Sequence, residues 1–526
     1  MHRTRPTVLA FVAVLLLAAV VAPTQAQTPT PKRGGTITLS FDVNPWSFDP
    51  NKIPGIVGGI VDYHIYDGLY NYNARGEPVL ALAESADRPD PLTYVFRLRR
   101  GVTFHNGRPF TAQDVKYTYD RIMAPDAKGI LSSPLRDGVR SVEAVDQYTV
   151  RIRLKEPWPE FEKILANYGS KIVNREAVEA AGTDYGIKVA VGTGAFKFVE
   201  WRPDDRVVLE RNLDYWKKPL PYLDRIVIRI IPDPQVRSIN LLNRTIDVDM
   251  VPPFRELRSF RQNDSLQVLA GLSNTTEIVW LNTSQAPFNQ KAVRQAFHYG
   301  INRDLILRTV FAGYAEPAVD LFPPHYSVHD SSLEAPYDPD RAVRLLQEAG
   351  YSRSNPVRFD LIVTNLPIFI DQAVLIQNHL NRVGFQVTIT PVDQTTLFDY
   401  LEGRRGRRTT EWQAALQQYA ASGMTAFDFA WKRYHSQAPQ NYMQYNLPGG
   451  ASNPRVDELL DRARSELDRG RAKGMYSQIS RMILEDAPAI RLSFVKAVVV
   501  AQRHVKGLEI PELSINTLFD TAWLDK

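Results

Sequence analysis

Few of the side chains able to do covalent or metal chemistry stand in a useful arrangement. Cysteine is absent and histidine occurs nine times, which excludes a thiol nucleophile and a cysteine-ligated metal. No His-Glu-x-x-His helix and no Gly-x-Ser-x-Gly elbow occurs. His325 and His329 stand four apart, but Pro323-Pro324 precedes them, so a plain loop is the simpler reading. His105 sits in Phe104-His105-Asn106-Gly107, a turn in which a histidine serves structure. Arg404-Arg405-Gly406-Arg407-Arg408 is the one dense basic run and reads as a solvated loop, with contact to an anionic group as the alternative.

Binding chemistry is better represented than catalysis. The loop Asp42–Asn51 carries Trp46, Phe48, Asp49 and Pro50, an aromatic loading that favours a functional surface. Aromatic faces stack on a solute while a few polar groups fix its orientation.

The elements that position these loops read as mixed α and β. Gly34–Ser40 is a first strand. Tyr94–Leu98 alternates as a strand, and Thr111 opens a helix with Asp114 as a short-armed capping box and Val115, Tyr119 and Ile122 buried. Gly192-Thr193-Gly194 allows a sharp turn and close approach, and the Arg202–Asp205 turn joins strands Phe196–Trp201 and Val207–Leu209. Ile226–Ile231, Pro234–Leu242 and Ile246–Val251 read strand, helix, strand, a crossover unit expected to rejoin the first sheet. Asn302 and Asp338 cap helices, the second with Pro339 in its first turn and Gly350 beyond its end. Val357–Val363, Ile370–Val383 and Phe385–Ile389 form a second crossover. Helices follow from Asn453-Pro454 and up to Asp486-Ala487-Pro488, and strands near Ala489–Val500 close the chain.

Length and composition allow several packed units. Met1–Ala26 reads as a cleaved export signal: His2, Arg3 and Arg5, then apolar Val8–Val21, then Thr24-Gln25-Ala26. Its removal lowers the formal charge from +5 to +3, too small a surplus to suggest nucleic acid. No cysteine follows the apolar run, so no lipid anchor is expected, and a free protein would need a Gram-negative periplasm to retain it.

The wording of Val191–Trp216, VGTGAFKFVEWRPDDRVVLERNLDYW, resembles the central signature of extracellular solute-binding protein family 5, the dipeptide- and oligopeptide-binding group of ABC importers. Two further stretches resemble that family in the right order: Tyr94–Gly107 with Leu82–Ser85, and Val279–Ser284 with Pro287–Asn289 and Val293–Arg303. The resemblance covers nearly all of the chain beyond the signal. It implies an α/β, two-lobed periplasmic-binding-protein fold of type II, in the large peptide-binding class, with an α+β subdomain inserted in the first lobe. Lobe I would comprise 27–71, 190–270 and 500–526, the insert 72–189, and lobe II 271–499. A monomer would close over a small solute by hinge motion and dock on inner-membrane permease subunits, without cofactor, resident metal or catalysis. A ligand-sensing partner of a membrane receptor, or an exported hydrolase, are the rival readings.

By the family's cleft geometry the ligand would meet Asn44 and Trp46, Tyr168 and Gly169, Trp280 and Asn282, and Tyr419, Ser422 and Met424. Peptide-binding members place an aspartate after the aromatic residue, to pair with the peptide's α-ammonium. With Tyr419 in the aromatic position, Ala420, Ala421 and Ser422 stand where the acid would be, and no acid occurs between Glu411 and Asp428. This departure favours a solute whose amine is absent or bound elsewhere, such as a sugar conjugate or an opine-like compound.

Overall fold

A computed structural model describes residues 30–52, 55–403, 411–420, 425–510 and 519–526. Lobe I opens with β1 (Thr36–Phe41) and α1 (Gly55–Ile65). An inserted unit follows, with the hairpin β2 (Tyr70–Tyr72) and β3 (Pro78–Leu80), then β4 (Ala83–Asp90), β5 (Thr93–Leu98), β6 (Val139–Asp146) and β7 (Thr149–Leu154). The last four form their own sheet in the order β4-β5-β7-β6. Helices α2 (Ala112–Met123), α3 (Ser132–Gly138), α4 (Phe161–Ala166) and α5 (Arg175–Ala181) accompany it. The capping box of Thr111 and Asp114 is formed, and Val115, Tyr119 and Ile122 enter the core of this unit, against which Trp216 of lobe I also packs.

The chain returns through β8 (Phe196–Arg202), β9 (Arg206–Arg211), β10 (Arg225–Ile230), α6 (Pro234–Leu242) and β11 (Val248–Asp249). β1 lies parallel to both β10 and β11, as expected of a crossover rejoining the first sheet. The Gly-Thr-Gly turn is where the insert is fastened down. A Cβ at Gly192 would stand 2.0 Å from the Ile65 carbonyl oxygen, and one at Gly194 2.3 Å from that of His64. What approaches so closely is therefore the chain's own α1. Gly194 N–H donates to Ile65 at 2.9 Å and the buried Thr193 hydroxyl to Asp67 at 3.0 Å. His105 reaches across from the insert, its Nε2 3.0 Å from the Gly194 carbonyl.

After α7 (Leu257–Gln262), β12 (Leu266–Leu281) carries the chain into lobe II. There follow α8 (Lys291–Gly300), α9 (Arg303–Val310), β13 (Ala315–Pro317), α10 (Pro339–Glu348), β14 (Val357–Thr364), α11 (Pro367–Val383), β15 (Phe385–Val392), α12 (Gln394–Glu402) and β16 (Ala414–Ala420). Short α13 (Ala426–Phe429) and α14 (Trp431–Tyr434), then α15 (Pro454–Ser465) and α16 (Arg469–Asp486), precede β17 (Ala489–Gln502). Asn302 and Asp338 cap as expected, accepting from Leu305 and Arg341 N–H. α11 begins at Pro367, three residues before the expected start, because proline suits a first helical turn.

One sheet of order β15-β14-β16-β12-β17-β11-β1-β10-β9-β8 runs through both lobes. Only β12 and β17 belong to both halves. Their pairing breaks between Gly271 and Thr275, opposite Ala497 and Val495, so two strands bend together where the lobes meet. Lobe I packs a large core with α1 and a smaller one around α6 and α7, while lobe II packs two, on opposite faces of β12, β14 and β16.

Candidate functional site

On the lobe I side, the Asp42–Asn51 loop is fixed from both ends. Asn44 exchanges hydrogen bonds with Asp204, at 2.6 and 2.9 Å, tethering the loop to the β8–β9 turn. Phe48 is buried against Phe198 and Trp201, and buried Asp49 takes the Arg121 guanidinium at 2.8 Å. Trp46 is left outside at 68 % exposure, lying over Gly55, whose φ of +73° and absent Cβ let the ring approach. Tyr168 packs on Gly59 and, edge-on, on Tyr63 at 6.3 Å. Gly169 is pinned by Asn51, whose Nδ2 donates to its carbonyl at 3.2 Å.

The lobe II wall is built on one face of three neighbouring strands. Register places Tyr419 of β16 opposite Thr276 of β12, and Thr276 opposite Phe494 of β17; Gln417, Ile278 and Arg491 form the next row. Trp280, fully buried, donates from Nε1 to Gln417 at 2.7 Å and stacks on Tyr419 at 5.8 Å and 29°. Phe429 closes on the Tyr419 ring at 6.2 Å, and the Arg433 guanidinium lies over it, 3.8 Å from its centre. Arg491 donates to the Tyr434 hydroxyl at 2.6 Å. Such stacking holds a cation at a fixed place on the wall.

Several buried polar atoms on this wall have no hydrogen-bond partner among the described residues: Asn274 Nδ2, Thr276 Oγ1, Arg491 Nε and His325 Nδ1. An unpaired buried donor or acceptor costs about 1–3 kcal/mol, so each of these atoms is open to a partner from outside the chain. The opposite face of the sheet carries Glu277, which accepts from Gln418 at 2.6 Å and whose burial raises its pKa to about 8.

Trp280 and Tyr419 are thus brought into contact, whereas Tyr168 and Gly169 are packed with Gly59, Tyr63 and Asn51. Asn282 is fully buried and donates to the Trp412 carbonyl at 3.0 Å, securing the base of the wall. Ser422 and Met424 lie outside the described residues, as do Arg404–Arg408 and the side chain of Asp428. His325 and His329 diverge. His325 Nε2 is 3.0 Å from Asn274 and burial lowers its pKa to about 4, whereas His329 Nδ1 is 2.9 Å from the Phe322 carbonyl and 3.1 Å from Asp320. Sequence reasoning missed Asn274, Thr276, Arg433 and Arg491. The available signal was Asn274-Thr275-Thr276-Glu277, a polar run inside a strand that otherwise turns apolar on both faces.

Lobe I meets lobe II through Phe254, whose ring lies 5.3 Å from that of Phe311, and the insert meets lobe II separately. Glu160, at the start of α4, accepts from Ala426 N–H at 2.9 Å, Lys163 lies 5.1 Å from the centre of the Tyr326 ring, and Arg464 meets Glu156 at 3.1 Å.

Two α/β lobes sharing two bent strands, with a polar and aromatic wall at their junction, define a solute-binding protein of the two-lobed periplasmic type. The sequence pattern of bacterial extracellular solute-binding proteins, family 5 Middle, matches residues 77–441, and the chain belongs to that family. It is 31 % identical over 468 residues to a glutathione-binding protein, GsiB, of Pectobacterium atrosepticum, covering 88 % of this chain and 89 % of that one. The GsiB of Salmonella choleraesuis is 30 % identical, covering 90 and 92 %. Among solved structures, the Helicobacter pylori periplasmic binding protein DppA in complex with the peptide STSA superposes with a TM-score of 0.81 at 27 % identity, covering 94 % of this chain and 99 % of that one. The protein is the substrate-binding component of an ABC importer, periplasmic in kind, and its family is one of binding proteins.

Proposed function

We propose that the protein captures a small peptide-like or other organic solute bearing a carboxylate. The observation that carries this reading is the Arg433 guanidinium held 3.8 Å over Tyr419, whose register partner is Thr276, with Thr276 Oγ1 and Asn274 Nδ2 unpaired among the described residues. A guanidinium matches a carboxylate geometrically, and in a cleft that sheds water the pair is stronger than on a surface. Trp46 meets the solute from lobe I, Tyr168 and Gly169 from the boundary of the insert, and Trp280 supports the Tyr419 platform from beneath. Asn44 and Asn282 act by holding their loops. Glutathione, the ligand named for the GsiB relatives, carries two carboxylates and fits the cationic wall. The absence of an acid directly after Tyr419 argues for an amine bound elsewhere.

Closure follows from a solute that contacts both lobes, since it stabilises only the arrangement it distinguishes. The loaded form then docks on permease subunits as a monomer. Cleavage near Ala26 frees the protein in the periplasm, and the solute is carried unchanged.

Thermal unfolding after refolding to strip endogenous ligand tests this, against glutathione, di- to pentapeptides, opines and neutral sugars. A ligand at a hundred times its Kd stabilises by about 2.7 kcal/mol, a shift of a degree or more. Stabilisation by carboxylate-bearing solutes that is lost in Arg433→Ala supports the reading. Stabilisation by neutral sugars alone overturns it.

A further inference from the structure

A cavity of about 500 Å³ opens where the inserted subdomain faces lobe II. From the subdomain comes Trp158, which needs Gly138 beside it, because a Cβ there would stand 2.5 Å from the ring. From lobe II come Phe427 and Trp431, stacked at 5.1 Å and 16°. Trp431 stacks in turn on His435 at 4.7 Å and 15°, and its Nε1 donates to Asp461 at 3.0 Å, which fixes the ring. Lys155, Lys432 and Arg464 also line the cavity, a cationic excess over Asp137 and Glu156.

We propose that this cavity is a second binding site, for a planar aromatic ring carrying a carboxylate. A stack of near-parallel rings extends naturally by one more flat ring, and the cations receive its acid group. The walls belong to different lobes, so an occupant favours the arrangement in which they face each other. The site is distinct from the Tyr419 wall, though adjoining it: Phe427 lines the cavity, while Phe429 on the same helix packs on Tyr419.

Calorimetric titration with 2-naphthoate tests the proposal, with 2-naphthylmethylammonium as the same ring with the opposite charge. The purified protein should bind the naphthoate and bind the ammonium at least tenfold more weakly. Trp431→Ala and Arg464→Ala should each weaken naphthoate binding at least fivefold. Arg464 sits at the rim, with 43 % of its side chain exposed, so its variant keeps the test valid if Trp431→Ala does not fold. Tyr419→Ala should retain naphthoate binding while losing the cleft solute, which separates failure here from failure of the cleft reading. No binding of naphthoate at millimolar concentration, equal affinity for both charges, or full affinity in Arg464→Ala overturns the site.

Discussion

The junction of the insert with lobe I and the cleft wall of lobe II are both buried and polar, yet they are finished in opposite ways. At the Gly-Thr-Gly turn the groups that fasten the insert are answered within the chain: Thr193 by Asp67, Gly194 by Ile65, His105 by Gly194. On the wall, Asn274, Thr276 and Arg491 each keep an atom unanswered among the described residues. The stretch of sequence easiest to recognise thus builds the molecule, while the wall proposed to receive the solute keeps atoms open to a partner. Placing a methyl group at the junction is the strongest way to break the comparison. Gly192→Ala would set a Cβ 2.0 Å from a backbone carbonyl, and fixed backbone cannot yield as a side-chain tip does. A loss of at least about 3 kcal/mol in urea unfolding is expected. A variant as stable as the parent would show that the junction is slack.

Proton linkage separates the two regions next. His105 at the junction has its pKa lowered to about 4 by burial, so the folded chain binds fewer protons than the unfolded one between about 4 and 6.5. Its contribution is present above pH 6.5 and is lost as pH falls towards 4. Glu277 behind the wall has its pKa raised to about 8, again by burial, so the folded chain holds an extra proton between about 4.5 and 8. Its contribution is present below about pH 4.5 and is lost as pH rises to 8. The full window is worth about 3 kcal/mol for His105 and about 5 kcal/mol for Glu277. Unfolding free energies measured at pH 4, 6 and 8 should show His105→Asn flattening the acid side and Glu277→Gln flattening the neutral side. A Glu277→Gln variant with the parent's slope between pH 6 and 8 would mean the carboxyl is ionised in the fold.

Much of the architecture is legible in the sequence because it rests on local rules. The caps of Asn302 and Asp338, the Gly192–Gly194 turn and the β8–β9 hairpin are each written within a few residues. Both crossovers follow from short segments of clear period. The site is less legible. Trp280 and Tyr419 emerge through the resemblance, but Thr276 and Arg491 lie more than two hundred residues apart in sequence. They share a wall only because β12 and β17 pair across both lobes. No periodicity announces such a pairing. α1, whose Ile65 carbonyl explains why Gly192 is glycine, is equally hard to foresee, since three of its eleven residues are glycine and glycine argues against helix.

Tyr419 carries the largest expected effect on binding itself. Truncating it to alanine removes the surface that holds Arg433 and covers Trp280, so solute affinity should fall at least tenfold in calorimetry. The ring is only half-buried, and the fold should survive with a stability loss of about 1–2 kcal/mol. Undiminished affinity would take Tyr419 out of the site and leave the stacked cation without a function.

Thr276→Val offers the smallest change and the sharpest discrimination. Valine keeps the shape and deletes a hydroxyl whose oxygen is buried and unpaired among the described residues. Were that oxygen merely tolerated, its removal would relieve a desolvation cost of about 1 kcal/mol and change nothing else. If it waits for the solute, stability should hold or rise by that amount while affinity falls about five- to tenfold, one hydrogen bond's worth. The two readouts therefore move in opposite directions only when the group belongs to the ligand. A variant that is more stable and binds as before would return Thr276 to the ordinary interior, and with it the contrast between the two regions.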